Sequence, residues 1–391
     1  MNNKNSKYFI RTNDFFEIVY NFDNKKNIYI VREFTGHYYS MGLGETKLLL
    51  EKSFDNEKSQ LDYINKRENE ILNRGYIHCI KSFLISIYDK NNNIKEIYYD
   101  DDFEITNKIL INKLETLKEY EKKHISIEFW GVTFNENEKG IDFILNYFIE
   151  NKSKYVNTEY FTIGNVNRTI CELSWIIQGN YEKFFKAFPN IKGMFIQGNE
   201  ELKLRKMNLP KLEILELQGS SLRNEILEDI TNSNLPNLKR LNLYFGVEYY
   251  GCDVEIKYVK NLLENTNFEN LKILGLCNME ALIISEVITI LFNSKYIYQI
   301  EVLDISKSGI RDIDAEIIIN NIDKLKNIRY IDIHYNYFSD DMIEKLYNLA
   351  KEYNFEINLD CCQGDLSEDI FLEEYEDEEE FLEEFSPMYM E

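Results

Sequence analysis

The chain has 391 residues, 44% of them hydrophobic and 14% aromatic, and carries a formal charge of −23 at pH 7. That hydrophobic share supplies a sizeable core and excludes a disordered polymer, while four prolines and sixteen glycines argue against a long flexible linker. The charge is uneven, +1 over residues 1–80, −11 over the middle and −13 over residues 365–391, so only the first segment approaches a phosphate backbone without repulsion.

The opening residues Met1 to Lys7 are polar and lack the apolar stretch of a signal peptide. The longest apolar run, Ala281 to Phe292, is interrupted by Ser285 and Glu286 and is too short to span a bilayer, so a cytoplasmic protein without a membrane segment is expected. Cys79, Cys171, Cys252, Cys277, Cys361 and Cys362 have neither zinc-site spacing nor the density of a disulfide framework and read as reduced thiols.

In chain order, residues 80–99 read as two strands, Ile80–Tyr88 and Ile94–Tyr99, around the turn Asn91-Asn92-Asn93, and residues 106–123 as a charged connecting helix. Ile125/Ile127/Phe129 and Phe161/Ile163 are expected strands, with Ile141–Ile149 and Leu173–Phe188 as helices beside them. Then a block of three aliphatics returns: Leu212/Leu215/Leu217, Leu238/Leu241/Leu243, Leu271/Leu274/Leu276 and Ile300/Leu303/Ile305. The clearest copy is Ile328-x-x-Ile331-x-Ile333-x-x-Asn336-x-Phe338.

Aliphatics alternating with polar residues have the period of a strand, and a helical pattern follows each one: Asn224–Asn232, Ile256–Asn265, Ile283–Phe292, Asp314–Leu325 and Ser339–Tyr353. Ser339 is placed to cap the last helix, with Asp340 and Asp341 at the positive end of its dipole. Strand then helix, repeated, requires a parallel sheet with helices outside it. The period identifies a leucine-rich-repeat solenoid of the α/β class, over residues 124–364. The tail, 365–391, mixes acids with Ile370, Phe371, Leu372, Tyr375, Phe381, Leu382 and Phe385. A run of like charges is expected to stay solvated, the alternative being that the aromatics fold back over the last repeat or fill a groove.

Between about 124 and 360, Glu172-Leu-Ser-Trp175-Ile-Ile-Gln178-Gly179, Phe188-Pro189-Asn190-Ile191 and the Leu-Pro-x-Leu openings at Leu209 and Leu235 resemble an uncharacterised family of bacterial cytosolic leucine-rich-repeat proteins. The resemblance implies a ribonuclease-inhibitor-like horseshoe and no established activity. Residues 8–77, within an expected domain 1–80, are similar to the WGR module, a small α+β domain, through Phe15-Phe16-Glu17-Ile18, Tyr29-Ile-Val-Arg32, Gly44-Glu45-Thr46, Ser53-Phe54-Asp55 and Asn73-Arg74-Gly75-Tyr76. The Trp-Gly-Arg triplet itself is replaced by Phe34-Thr35-Gly36-His37, so the module is degenerate, and the nucleic-acid contact that the family implies would fall to Arg32 and Arg74. Residues 81–123 are the expected hairpin and connector.

The residue between the second and third aliphatics is Glu216, Asn242, Gly275, Asp304 and Asp332 in successive repeats. Strands about 4.8 Å apart would stack Asp304 and Asp332, with Asp360 in Leu359-Asp360-Cys361 as the candidate continuation, into a carboxylate ladder on a solvated, acidic inner face, attractive to a basic protein surface. Tyr244, Arg329, Tyr330 and His334 flank it and are residue types that anchor interfaces. Asp332, His334 and Asp304 lie on a flat sheet without the convergence that a metal site needs. No nucleophile elbow, phosphate loop, zincin helix or paired-carboxylate motif is present, so no catalytic residue, cofactor or metal is expected. The reading is a non-catalytic adaptor that binds a protein partner through Glu216, Tyr244, Asp304, Arg329, Tyr330, Asp332 and His334. The alternative is a nucleic-acid-associated factor acting through the N-terminal module.

Overall fold

The structure, a computed structural model, describes residues 5–11, 14–23, 28–39, 42–43, 47–73, 77–79, 83–85, 111–129 apart from 113, 118 and 120, 141–166 and 173–364. The chain divides into two compact units, Met1–Val132 with Phe161–Cys171, and Thr133–Tyr160 with Glu172–Glu391. The first unit thus extends past residue 80.

In the first unit β1 (Asn5–Arg11), β2 (Asp14–Asp23) and β3 (Ile28–Tyr39) form an antiparallel meander. β4 (Gly42–Leu43) and β5 (Lys47–Phe54) both pair with β3, and β6 (Ile77–Cys79) closes the other side against β1. Helix α1 (Glu57–Asn73) brings Ile64 and Ile71, seven residues apart and so on one helical face, onto Ile18 and Val31, with Tyr20, Phe54 and Tyr63 around them. The buried Gln60 ties helix to sheet by donating its side-chain amide to the Ile30 carbonyl at 2.9 Å.

Also in this unit, β7 (Phe83–Ile85) runs parallel to β8 (His124–Phe129), Phe83 opposite Ile125, with β9 (Tyr160–Val166) next in order. The pairing of β7 with β8 was not anticipated, because alternation fixes which side chains share a face and says nothing of strand order or direction. Residues 86–99, the rest of the expected hairpin, lie outside the described residues. Of the connecting helix, 106–110 also lie outside them, and the later part includes a 3-10 turn at Glu121–Lys123 leading into β8.

The second unit is a repeated α/β arrangement. After α2 (Asp142–Glu150) and α3 (Glu182–Ala187) come β10 (Gly193–Gln197) and β11 (Ile214–Gln218). Strand and helix then alternate: α4 (Asn224–Thr231), β12 (Arg240–Tyr244), α5 (Ile256–Asn265), β13 (Ile273–Cys277), α6 (Ala281–Asn293), β14 (Val302–Asp304), α7 (Asp312–Asn320), β15 (Tyr330–Asp332), α8 (Asp340–Tyr353) and β16 (Glu356–Asn358). β10 to β16 pair consecutively and in parallel, residue for residue. The five expected strand-linked helices are present within a few residues of their expected bounds. Leu173–Phe188 is the exception: it holds a 3-10 turn at Leu173–Trp175 and the short α3. Between them the chain is extended, with Ile177 bridging Glu200 and Asn180 bridging Lys203, so a helical spacing of apolar residues was overridden by pairing to the next turn.

Leu215, Leu217, Leu241, Leu243, Leu274, Leu276, Leu303, Ile305, Ile331 and Ile333 are all at most 1% exposed and fill the helix side of the sheet. On the rim of that side the rings of Phe148, Tyr155, Phe184 and Phe188 meet mainly edge to face, 5.0 Å separating Phe148 from Tyr155 and Phe184 from Phe188. The last helix starts as its sequence requires: Met342 N–H donates to Ser339 Oγ at 3.2 Å, and Asp312 accepts from both Ser339 N–H and Ser339 Oγ.

Past every strand of β10–β16 except β11 the backbone turns through a left-handed residue three or four positions beyond the central residue of the strand: Gly198, Gly246, Asn278, Lys307, Tyr335 and Cys361, with φ between 53° and 88°. Hydrogen bonds continue across these turns, from Gly198 N–H to Gln218 O, Gly246 N–H to Asn278 O, Lys307 N–H to His334 O and Tyr335 N–H to Asp360 O. At Gly246 a Cβ would sit 1.8 Å from the Ser220 carbonyl oxygen, so the close approach as well as the dihedral demands glycine. Asn336, wholly buried, pins one turn to the next. Its Nδ2 donates to the carbonyls of Ile333 at 2.9 Å and Ile305 at 3.2 Å, while its Oδ1 accepts from Ser308 N–H and Ile310 N–H.

Candidate functional site

Because strand side chains alternate, the face of β10–β16 opposite the aliphatic core carries three rows. The first is Gly193, Ile214, Arg240, Ile273, Val302, Tyr330 and Glu356, and the central one is Phe195, Glu216, Asn242, Gly275, Asp304, Asp332 and Asn358. The third holds Gln197, Gln218, Tyr244 and Cys277. Register therefore brings Glu216, Tyr244, Asp304, Tyr330 and Asp332 onto one surface, as expected from the sequence.

The expected solvation of that surface is not found. Glu216 is 2% exposed, Tyr244 5%, Asp304 8%, Tyr330 6% and Asp332 1%, and Arg240, on the same face, is completely buried. Each carboxylate already has internal partners. Glu216 pairs with Arg240 at 2.8 Å from the neighbouring strand. Asp304 Oδ1 accepts from Ser306 Oγ at 2.7 Å and from its N–H at 3.2 Å. Asp332 accepts from Tyr330 Oη at 3.1 Å and Asn358 Nδ2 at 3.0 Å, and its Oδ1 lies 2.5 Å from His334 Nδ1. The two carboxylates of the ladder are in register but already engaged by neighbours in their own and the next strand, as buried charges must be, and the central place on β16 falls to Asn358 and not to Asp360.

Arg329 belongs elsewhere. One residue ahead of Tyr330, it lies at the strand entrance, half-exposed, and donates to Glu301. It is part of an edge series of ion pairs: Glu159 with Lys192, Glu213 with Lys239, and Glu301 with Lys272 and Arg329. Such exposed pairs are worth about 0–1 kcal/mol each. In the first unit Arg32 donates its Nε to Glu51 Oε2 across β3 and β5 at 2.5 Å. Arg74 lies outside the described residues.

Sequence reading missed a polar relay on the same face. Tyr181 Oη donates to Gln178 Oε1 at 2.7 Å, Gln178 to the Gln197 carbonyl at 2.6 Å, Gln197 to Gln218 Oε1 at 2.7 Å, and Gln218 to Glu216 Oε1 at 3.2 Å. Burial, with Asp142 nearby, pushes the Tyr181 hydroxyl well above the ordinary tyrosine range, which keeps it neutral and a donor. A signal existed in the sequence, since Gln197 and Gln218 each fall two residues beyond the central row. Cys277, on the face between Tyr244 and Asp304, is raised well above the usual thiol range by burial and then by Asp304, and its Sγ donates to the Asp304 carbonyl at 3.5 Å. It is an inert thiol.

Among the described residues no group of three or more His, Cys, Asp or Glu is arranged to hold a metal ion, and no helix is long and apolar enough to cross a membrane. The sequence matches no family model and no curated protein. Its structure is similar to the crystal structure of a Bacteroides fragilis protein solved as a structural-genomics target, with a TM-score of 0.66 and 26% identity, over 92% of this chain and 98% of that one.

Proposed function

We propose that the chain is a non-catalytic recognition scaffold, a leucine-rich-repeat solenoid of the ribonuclease-inhibitor-like horseshoe type preceded by a degenerate WGR-like module, which binds a protein partner on the face opposite its aliphatic core. The observation that carries this reading is the one-to-one parallel register of seven consecutive strands, which presents aromatic, amide and charged side chains as ordered rows. Such a surface has the composition of an interface core, aromatics and arginine among apolar neighbours. The attraction for a basic partner comes from the long-range field of the acidic chain, because the carboxylates on the face are already engaged. The cytoplasm is the compartment that suits its free thiols. The nucleic-acid alternative would have to recruit Arg32 away from Glu51.

The test is affinity capture by the full chain against a Tyr244→Ala/Tyr330→Ala variant of equal helical content. A protein enriched by the parent and lost from the variant supports the assignment. Identical captured sets from the two chains refute it.

A further inference from the structure

Among the described residues helices lie on one side of β10–β16, yet both sides of the sheet are dry. Every residue of β10, β11, β12, β14 and β15 is buried, including Phe195, Ile214, Val302 and Tyr330 on the side away from the helices. Same-face neighbours about 4.8 Å away cover the flanks of a side chain but leave its tip open to water. An arginine at 0% exposure in mid-sheet, with a thiol whose ionisation burial suppresses one strand away, requires a layer above it. Burial fades at β16, where Glu356 is exposed and Ile357 and Asn358 are half-buried, so the covering layer thins toward the last strand.

We propose that the carboxy-terminal segment 365–391 of this same chain docks on that face and occupies it in the free protein. The described chain ends in the right place. Gln363 is held by backbone bonds to Asn336 and Phe338, in the turn that follows β15, so the segment departs from the β15–β16 end of the sheet. Reach is sufficient: six strand spacings make about 29 Å, whereas 27 residues span about 40 Å as a helix and about twice that when extended. The chemistry suits a mixed face. Phe371, Tyr375, Leu382 and Phe385 recur at spacings of four, seven and three, which is one stripe of a helix, and match a surface offering Phe195, Ile214, Val302, Tyr244 and Tyr330. The acids between them find Lys307, whose ammonium lies 5.9 Å from the Tyr244 ring. The segment then competes with any partner for the same rows, and binding is coupled to its release.

The experiment uses the full chain with a specific protease sequence inserted after Gly364 and cut after folding. Hydroxyl-radical labelling read by mass spectrometry compares Tyr244 and Tyr330 before cutting, after removal of the released peptide, and after adding a synthetic 365–391 peptide. Tyr155, buried on the helix side against Phe148, is the internal control. Docking predicts at least about a threefold rise at Tyr244 and Tyr330 on removal, since labelling follows exposed area, with reversal by the peptide and Tyr155 unchanged. An uncut Phe371→Ser/Tyr375→Ser/Phe385→Ser chain should show the same rise, which keeps the test valid if the cut protein loses its fold. Unchanged labelling of the face in both preparations overturns the proposal and means that another part of the chain is the cover. The outcome is independent of whether any partner binds, so it can fail while the recognition reading stands.

Discussion

Replacing Asn336 by alanine removes one side chain and leaves four backbone groups without their partner. Two are donors, Ser308 N–H and Ile310 N–H, and two are carbonyls, Ile305 and Ile333, all in a region where Asn336 itself has no exposed surface. An unsatisfied buried donor costs about 1–3 kcal/mol, and carbonyls with a second lone-pair partner cost less. The two donors alone therefore predict a loss of about 2–6 kcal/mol, a large share of the stability of an ordinary domain. Asn336→Asp is the discriminating variant: it keeps an acceptor for the two N–H groups but turns a carboxylate oxygen toward the two carbonyls, so it should be at least as damaging. Urea unfolding at 25 °C, followed by far-ultraviolet circular dichroism with the denaturant slope held constant, measures both. An alanine variant within 1 kcal/mol of the parent would show that water replaces the side chain freely, and the idea that Asn336 pins adjacent turns would fall.

Leu274→Ala and Ile331→Ala, in fully buried columns, should each cost about 2–5 kcal/mol by the same assay, and an unchanged transition in either would refute the register assigned to its strand. Asp314 has a carboxyl raised above its ordinary value, chiefly by burial, although Ser285 and Arg311 N–H donate to it. With the folded value above the unfolded one, the folded state binds the extra proton, so stability owed to Asp314 grows as pH falls through the raised value toward 3.8 and is lost as pH rises. The difference in melting temperature between parent and Asp314→Asn should move in the parent's favour on acidification, and a pH-independent difference would contradict this. Among Cys252, Cys277, Cys361 and Cys362, iodoacetamide at pH 8 should modify exposed Cys361 first and Cys277 last, with Cys252 and Cys362 slowed by burial that raises both to about 11; peptide mapping that finds Cys277 among the early products would refute its placement.

The aliphatic triplets made the strands and their core side legible, because a period of two followed by a helical stretch leaves few alternatives. Leu241/Leu243 and Ile331/Ile333 are buried as that pattern requires. Alternation also placed Glu216, Asp304 and Asp332 on a common face, but it carries no information about what lies above a face, and their burial was not legible. Arg329 was assigned to the face by proximity in sequence, although the residue preceding the first row of a three-residue strand belongs to its entrance. The turns were legible only in part: Gly198, Gly246 and Asn278 are residue types that favour φ > 0, while Lys307, Tyr335 and Cys361 take the same conformation because the repeat imposes it. Leu173–Phe188 failed for the same reason, local spacing yielding to pairing with the next turn.

The recurring left-handed turn also divides each repeat into a portion of fixed length and one free to vary. Central-row residues recur at intervals of 21 to 33 positions without a slip in strand register, so every insertion or deletion has been absorbed on the route back past the helices. The segment Glu248–Tyr250, with Tyr249 pointing into solvent at 88% exposure, is such an accommodation. A reporter sequence grafted there would ride on the protein's outer circuit and leave the ladder of strands untouched.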